Sequence, residues 1–165
     1  MTAMWEKLII LLNQTLEVYQ ALLKLSRKKR DILIEAKPQE IEMLTKQEEI
    51  LIIEAGKLEI MRSTLTHELA AAIGLAPDET TMSTLIERAD NETAGKLILV
   101  IDRFGGITSE LTKMNELNTQ LIQQSLDLIN FNINILSQSA AETTYAPKGN
   151  TAPTARNRSI LDTKA

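Results

Sequence analysis

Hydrophobic side chains recur at alternating three- and four-residue steps through the last third of the chain. The stripe covers residues 97–135 and consists of Leu97, Val100, Phe104, Ile107, Leu111, Met114, Asn118, Leu121, Ser125, Leu128, Asn132 and Ile135. This spacing keeps one face of a single α-helix against a partner for about ten turns at about 3.6 residues per turn. The pattern therefore predicts a long helix that carries a docking face.

Charge is almost absent from the second half of this predicted helix. Between Leu117 and Ala141 the only formally charged side chain is Asp127. A solvated helix face of that length would normally carry several Lys, Glu or Arg side chains. We therefore expect something apolar to cover this face, either the rest of the fold or another protein.

The same spacing predicts two more long helices before residue 75. The first covers about residues 3–36 and ends at Lys37-Pro38, because proline disfavours helical geometry in the residue before it and fits the first turn of a new helix. The second helix ends at Gly74, with Pro77 beyond it. The two helices should therefore be joined by a tight reversal.

A connector of residues 75–91 precedes the last long helix. It contains a short helical piece at about residues 82–89, which Thr81 or Asp78 can cap, and the last helix begins near Asp90 or Asn91 and continues to about residue 140. Two adjacent glycines in a helix cost about 1 kcal/mol each relative to alanine. We therefore expect this helix to bend, or to break and restart, at Gly105-Gly106.

Composition supports an all-α fold. Of the 165 residues 44% are hydrophobic, but only five are aromatic, so the core must consist of Leu, Ile, Ala and Met, as in helix-on-helix packing. We predict an elongated antiparallel bundle of three long helices plus a short connector helix, with coiled-coil-like packing, over residues 1–140. Residues 141–165 have few apolar side chains, and their composition predicts a flexible C-terminal tail.

The chain carries little that could support catalysis. It has no cysteine and a single histidine, His67, which we expect at the surface. The charged turn Arg27–Arg30 and the acidic residues of the second helix, Glu48 among them, are interpreted as solvated helix charges, and Trp5 as a core residue. We therefore expect no enzyme activity, no cofactor and no metal site.

Charge and hydropathy also bear on location and partners. The net charge of −4 disfavours a nucleic-acid partner. The apolar run of residues 8–11 is too short for a secretory signal or a membrane span, so we expect a cytoplasmic protein without membrane insertion.

The polar members of the docking stripe have two interpretations. Asn118, Ser125 and Asn132 follow one another at intervals of seven residues. Buried side-chain amides at such positions fix the register of packed helices. Alternatively, a face that is exposed in the free protein and covered by a partner tolerates polar residues with few charges. The sequence leaves both interpretations open.

Several segments together resemble the FlgN family of flagellar type III export chaperones. They are Tyr19-x-x-Leu22-Leu23-x-Leu25 with Lys28-Lys29-Arg30, Thr45-x-x-Glu48-Glu49-x-Leu51, Leu58-Glu59-x-x-Arg62, Asn115-x-x-Asn118-x-x-Leu121, Tyr145-Ala146-Pro147-Lys148-Gly149 and Leu161-Asp162-x-Lys164-Ala165. The resemblance depends on their order and spacing, and it covers nearly the whole chain. The Gly105-Gly106 pair is not part of the family pattern.

The resemblance implies a bacterial cytoplasmic chaperone for the hook–filament junction proteins, also called hook-associated proteins. It would bind the C-terminal helical region of this cargo, prevent premature assembly and deliver the cargo to the cytoplasmic domain of the type III export gate. By the same resemblance Tyr145 would dock on the gate. The implied cargo-binding residues are Leu117, Asn118, Leu121, Ser125, Leu128, Phe131, Asn132 and Ile135.

A second hypothesis is a structural or scaffolding coiled coil. In that case the last helix pairs with a copy of itself, and the apolar stripe is the self-association surface. Weak homo-oligomerisation also remains open for the chaperone.

Overall fold

The structure, a computed structural model, describes residues 2–76 and 80–144, with side chains up to residue 138. Its helices are α1 (Thr2–Ile34), α2 (Pro38–Ala72), α3 (Met82–Arg88) and α4 (Asn91–Thr144), and the described residues contain no strand. The predicted all-α class is confirmed. The chain divides into two compact units, residues 1–126 and residues 127–165.

The turns between the helices follow the local sequence. After α1, Ala36 has a positive φ of 54° and the Lys37 N–H donates to the Ile32 carbonyl at 3.2 Å, and Pro38 is the first residue of α2. After α2, Gly74 has a φ of +75°, which glycine adopts without a side-chain clash. The predicted reversal at Lys37-Pro38 and the predicted stop at Gly74 are confirmed.

Side chains cap the two helices that follow the connector. Thr81 forms a capping box with Thr84 at the start of α3. At the start of α4, Asp90 Oδ1 accepts hydrogen bonds from the backbone N–H groups of Glu92 (3.1 Å) and Thr93 (2.9 Å). Hydrogen bonds hold the pKa of Asp90 below its usual value, and those from Thr93 have a larger effect than the one from Glu92.

All four helices contribute to the core of the first unit. The residues of this core are Trp5, Leu8, Leu12, Leu69, Leu85, Leu97 and Val100. Leu85 is fully buried, so the short helix α3 is part of the core rather than a loose connector. Trp5 lies in the core as predicted.

Contacts along the helices define their directions within residues 2–126. Lys29 of α1 pairs with Glu48 of α2, while Leu8 and Leu69 lie in the same core, so α1 and α2 run antiparallel. The rings of Tyr19 in α1 and Phe104 in α4 have centroids 4.7 Å apart. Because Leu97 also packs in the core with Leu8, this part of α4 runs parallel to α1.

The expectation of solvated charges is wrong at one place. Lys29 and Glu48 form an ion pair whose side chains are largely buried, because α1 and α2 face each other at this level. The neighbouring Arg27 pairs with Glu110 at the surface. Two members of the basic turn therefore connect helices. The exposed pairs, among them Arg27 with Glu110 and Glu42 with Lys46, are solvated as predicted.

The helix does not break at Gly105-Gly106. Residues 91–144 form one continuous helix. Thr108 Oγ1 donates to the carbonyls of Phe104 (2.8 Å) and Gly105 (3.2 Å), and the side chains of Phe104 and Ile107 are partly buried within the first unit. The packing of the flanking side chains outweighs the low helix propensity of the two glycines, which is about 1 kcal/mol each.

Length and composition alone would allow α1 to cross a membrane, since its most apolar window has a mean hydropathy of 1.2. This was not expected from the short run at residues 8–11. Nearly half of that window is buried inside the fold, however, and the core helix of a soluble protein passes the same test. Among the buried side chains of α1 are Trp5, Leu8 and Leu12.

Candidate partner-binding surface

The second unit exposes a long apolar part of α4. Every side chain from residue 127 to residue 138 is exposed. The apolar ones, between 48% and 67% exposed, are Leu128, Ile129, Phe131, Ile133, Ile135 and Leu136. Exposed apolar patches of this kind mark interaction sites in soluble proteins. Four predicted site residues, Leu128, Phe131, Asn132 and Ile135, lie here on the surface.

Sequence reasoning missed half of these apolar residues. Ile129, Ile133 and Leu136 are as exposed as the predicted residues, but they do not belong to the strict heptad stripe. Their own spacing of four and three residues is the signal that could have revealed them.

Three further predicted residues lie in the first unit, on its part of α4. Leu117 is 39% exposed and Leu121 is partly buried. Ser125 is exposed, and its hydroxyl donates to the Leu121 carbonyl of the same helix at 2.9 Å. The side chains of Leu117 and Ser125 are therefore accessible to a partner, whereas that of Leu121 is only partly accessible.

Asn118, in contrast, is used by the fold itself. It is only 4% exposed, and its Nδ2 donates to the carbonyl (2.9 Å) and to the Oγ (3.1 Å) of Ser26 in α1. The Ser26 hydroxyl in turn donates to Asn115 Oδ1 at 2.7 Å. Because these bonds join one level of α1 to one level of α4, Asn118 fixes the register of the two helices. The Asn118 side chain is therefore not accessible on the surface of α4.

A groove of about 840 Å³ separates the three long helices in the first unit. Apolar side chains form most of its walls, among them Tyr19, Ile52 and Phe104, and the Lys29–Glu48 pair also lines it. Asn118 also lines it, and the Oδ1 of this residue has no hydrogen-bond partner among the described residues. The described residues contain no cluster of three His, Asp or Glu side chains that could hold a metal ion.

Tyr145, the residue expected to dock on the export gate, lies outside the described residues, as does the rest of the predicted tail from there to residue 165. His67 is exposed as predicted, and its Nδ1 lies 2.7 Å from the Ser63 carbonyl of the same helix.

The fold and this surface define a class of protein: an all-α chain with an exposed apolar and nearly uncharged helix segment suited to binding another protein. The family model of the FlgN protein matches residues 1–153. The chain therefore belongs to the FlgN family, a family of flagellar export chaperones. Searches of curated proteins and of solved structures returned no match.

Proposed function

We propose that this chain is a bacterial cytoplasmic chaperone that binds the C-terminal helical region of flagellar hook–filament junction proteins. By covering the apolar helix with which the cargo assembles, it prevents premature assembly, and it then delivers the cargo to the cytoplasmic domain of the type III export gate. Masking a surface requires affinity only, so the proposal includes no enzyme activity, cofactor or metal. The proposed cargo-binding residues are those predicted above, with Asn118 acting through the register of α4.

The observation that carries the proposal is the exposure of Leu128, Phe131 and Ile135 on a segment whose only charge is Asp127. Leaving such side chains in water costs about 25 cal/mol per Å² of apolar area, and a partner helix removes that cost. Recognition of an amphipathic helix by an apolar helix face is a recurring mode of peptide binding.

The proposal includes the architecture predicted from the sequence, an antiparallel bundle of three long helices with coiled-coil-like packing. The antiparallel contacts of α1 with α2 and the parallel contacts of α1 with the first part of α4 support this arrangement within residues 2–126. We also propose that Tyr145 docks on the export gate, as the family resemblance implies.

The test is a pair of matched charge substitutions in the full-length chain. L128E/F131E places two carboxylates in the proposed contact, and N130E/N134E places the same charges on the polar side of the same helix. We expect the first variant to weaken binding of a C-terminal fragment of a junction protein by roughly tenfold or more, and the second to change it little. The affinity is measured by titration calorimetry, and helicity by circular dichroism.

Two outcomes would contradict the proposal. If L128E/F131E unfolds the chain, these side chains belong to a core. If sedimentation shows a concentration-independent dimer that the junction-protein fragment does not dissociate, the protein is a self-associating scaffold.

A further inference from the structure

Apolar side chains cover about half of the circumference of α4 in the second unit. At about 100° per residue, Leu128, Phe131 and Ile135 form one stripe and Ile129, Ile133 and Leu136 form another, about 130° further round the helix. Asn132 lies between the two stripes. The polar remainder of the described circumference consists of Asp127, Asn130, Asn134, Ser137 and Gln138.

The two stripes are about equally exposed to solvent. Each contains three apolar residues, and all six side chains are exposed to a similar degree. The six residues span an apolar sector of about 200°. A helix that packs against one neighbour needs an apolar stripe of about 100°. One partner helix therefore covers one stripe and leaves the other in water.

We propose that residues 128–136 of α4 are enclosed by two amphipathic helices of a single partner chain, one on each stripe. This inference rests on the proposed function and specifies the cargo: its chaperone-binding region is a helical pair rather than one helix. The faces that meet α4 are apolar and free of Lys, Arg and Glu, because neither stripe offers a charge to pair with them. Asn132 meets the junction of the two helices, where its amide can bond to both.

The number of residues that a stable interface needs also favours a helical pair as the partner of α4. Stable protein complexes use about 20 to 30 residues on each side, whereas the described part of this unit offers twelve exposed side chains, residues 127–138. Even with the accessible residues Leu117 and Ser125 of the first unit added, a stable complex needs most of the circumference of this segment. A second copy of this chain that paired through α4 would supply one helix and would leave one stripe uncovered.

The test compares three double substitutions in the full-length chain, all to glutamine, which favours helix formation. L128Q/F131Q replaces two of the three residues of the first stripe, I129Q/I133Q replaces two of the three residues of the second, and N130Q/N134Q is the matched control on the polar side. The probe is the C-terminal fragment of a hook–filament junction protein, and titration calorimetry gives affinity and stoichiometry. We expect each stripe variant to weaken binding by roughly tenfold or more and the control by less than about twofold, with one fragment bound per chain.

The outcomes separate this inference from the proposed function. If only L128Q/F131Q loses affinity, a single cargo helix binds to α4. This result would contradict the helical pair, but it would be consistent with the chaperone proposal. Unchanged affinity in both stripe variants would overturn the proposed binding surface as well. If the free protein forms a tetramer that both stripe variants dissociate, the two stripes serve self-assembly, and the helical pair is again overturned.

Discussion

Asn118 and Asn132 occupy equivalent positions of the predicted stripe, yet the fold treats them differently. Asn118 is buried and bonded to Ser26, whereas Asn132 is exposed. The two interpretations that the sequence left open therefore apply to different residues. Asn118 fixes register, and Asn132 has the exposure expected of an interface residue.

This difference predicts opposite effects of one substitution at the two positions. Asn118→Ala removes both buried hydrogen bonds to Ser26, so we expect the free energy of unfolding to fall by about 1–3 kcal/mol. Asn132→Ala replaces an exposed residue by a better helix former and should raise it by a few tenths of a kcal/mol, at most about 0.7. Urea unfolding measures both changes. Equal effects would show that Asn118 does not hold α1 and α4 in register.

The N-terminal cap of α4 predicts a pH dependence. Hydrogen bonds from Thr93 and Glu92 lower the pKa of Asp90 in the folded chain. The stabilisation is therefore fully present above the unfolded pKa of about 3.9 and is lost as the pH falls through the lower folded pKa. Asp90→Asn keeps a capping oxygen but does not titrate.

We therefore expect the wild-type chain to be more stable than Asp90→Asn at neutral pH, with a difference that shrinks steadily below about pH 4. Chemical unfolding of both proteins between neutral and acidic pH measures this difference. A difference that does not depend on pH would show that the charge of Asp90 contributes nothing to the cap.

At the scale of the element, helix geometry explains which apolar residues the sequence prediction missed. A strict seven-residue repeat drifts by about 20° per heptad on a straight helix with 3.6 residues per turn. Over the span from Leu97 to Ile135 this drift reaches about 100°. A heptad stripe that starts on the buried face of the helix therefore does not stay on that face. Apolar residues outside the stripe, such as Ile129 and Ile133, are as exposed as the stripe residues in this part of α4.

The continuity of α4 predicts that alanine is tolerated at both of its adjacent glycines. A Cβ added at Gly105 or Gly106 would meet no atom within 4 Å, and both residues are helical. Gly105→Ala and Gly106→Ala should each raise the free energy of unfolding by up to about 1 kcal/mol. The control is Gly74→Ala, where the φ of +75° makes alanine strained and should lower stability by about 1 kcal/mol.

Thermal and urea unfolding of the three variants measure these changes. Destabilisation by Gly105→Ala or Gly106→Ala would show that α4 departs from regular helix at these positions in solution.

At the scale of the whole molecule, the core and the proposed cargo surface both lie before residue 139. The main core extends from Trp5 to Val100, and among the residues with described side chains the last exposed large apolar residue is Leu136. Composition predicts a flexible tail over residues 141–165, and the family resemblance implies that Tyr145 in this tail docks on the export gate.

Deletion of residues 143–165 tests this division of roles. We expect the thermal unfolding midpoint and the affinity for the junction-protein fragment to stay close to the wild-type values, because the core and both apolar stripes remain. Binding to the cytoplasmic domain of the export gate should be lost, and Tyr145→Ala in the full-length chain should reproduce this loss. A large fall in thermal stability would contradict the tail prediction.

The sequence by itself determined most of the helix ends, because these depend on local chemistry. Pro38, Gly74, Thr81 and Asp90 act on their own backbone neighbours, and the helices begin or end next to them. It also determined the lack of charge in the second half of α4. These features need no knowledge of distant residues.

Only the tertiary structure decided which residues are covered. Burial of Asn118, but not of Asn132, depends on Ser26, which lies 92 residues away in the sequence from Asn118. In the same way, Lys29 pairs with Glu48 because α1 and α2 lie side by side at this level. The continuity of α4 through its two glycines depends on the packing of Phe104 and Ile107. The periodicity of a sequence identifies an apolar helix face. Which residues of that face are buried depends on the elements that pack against it.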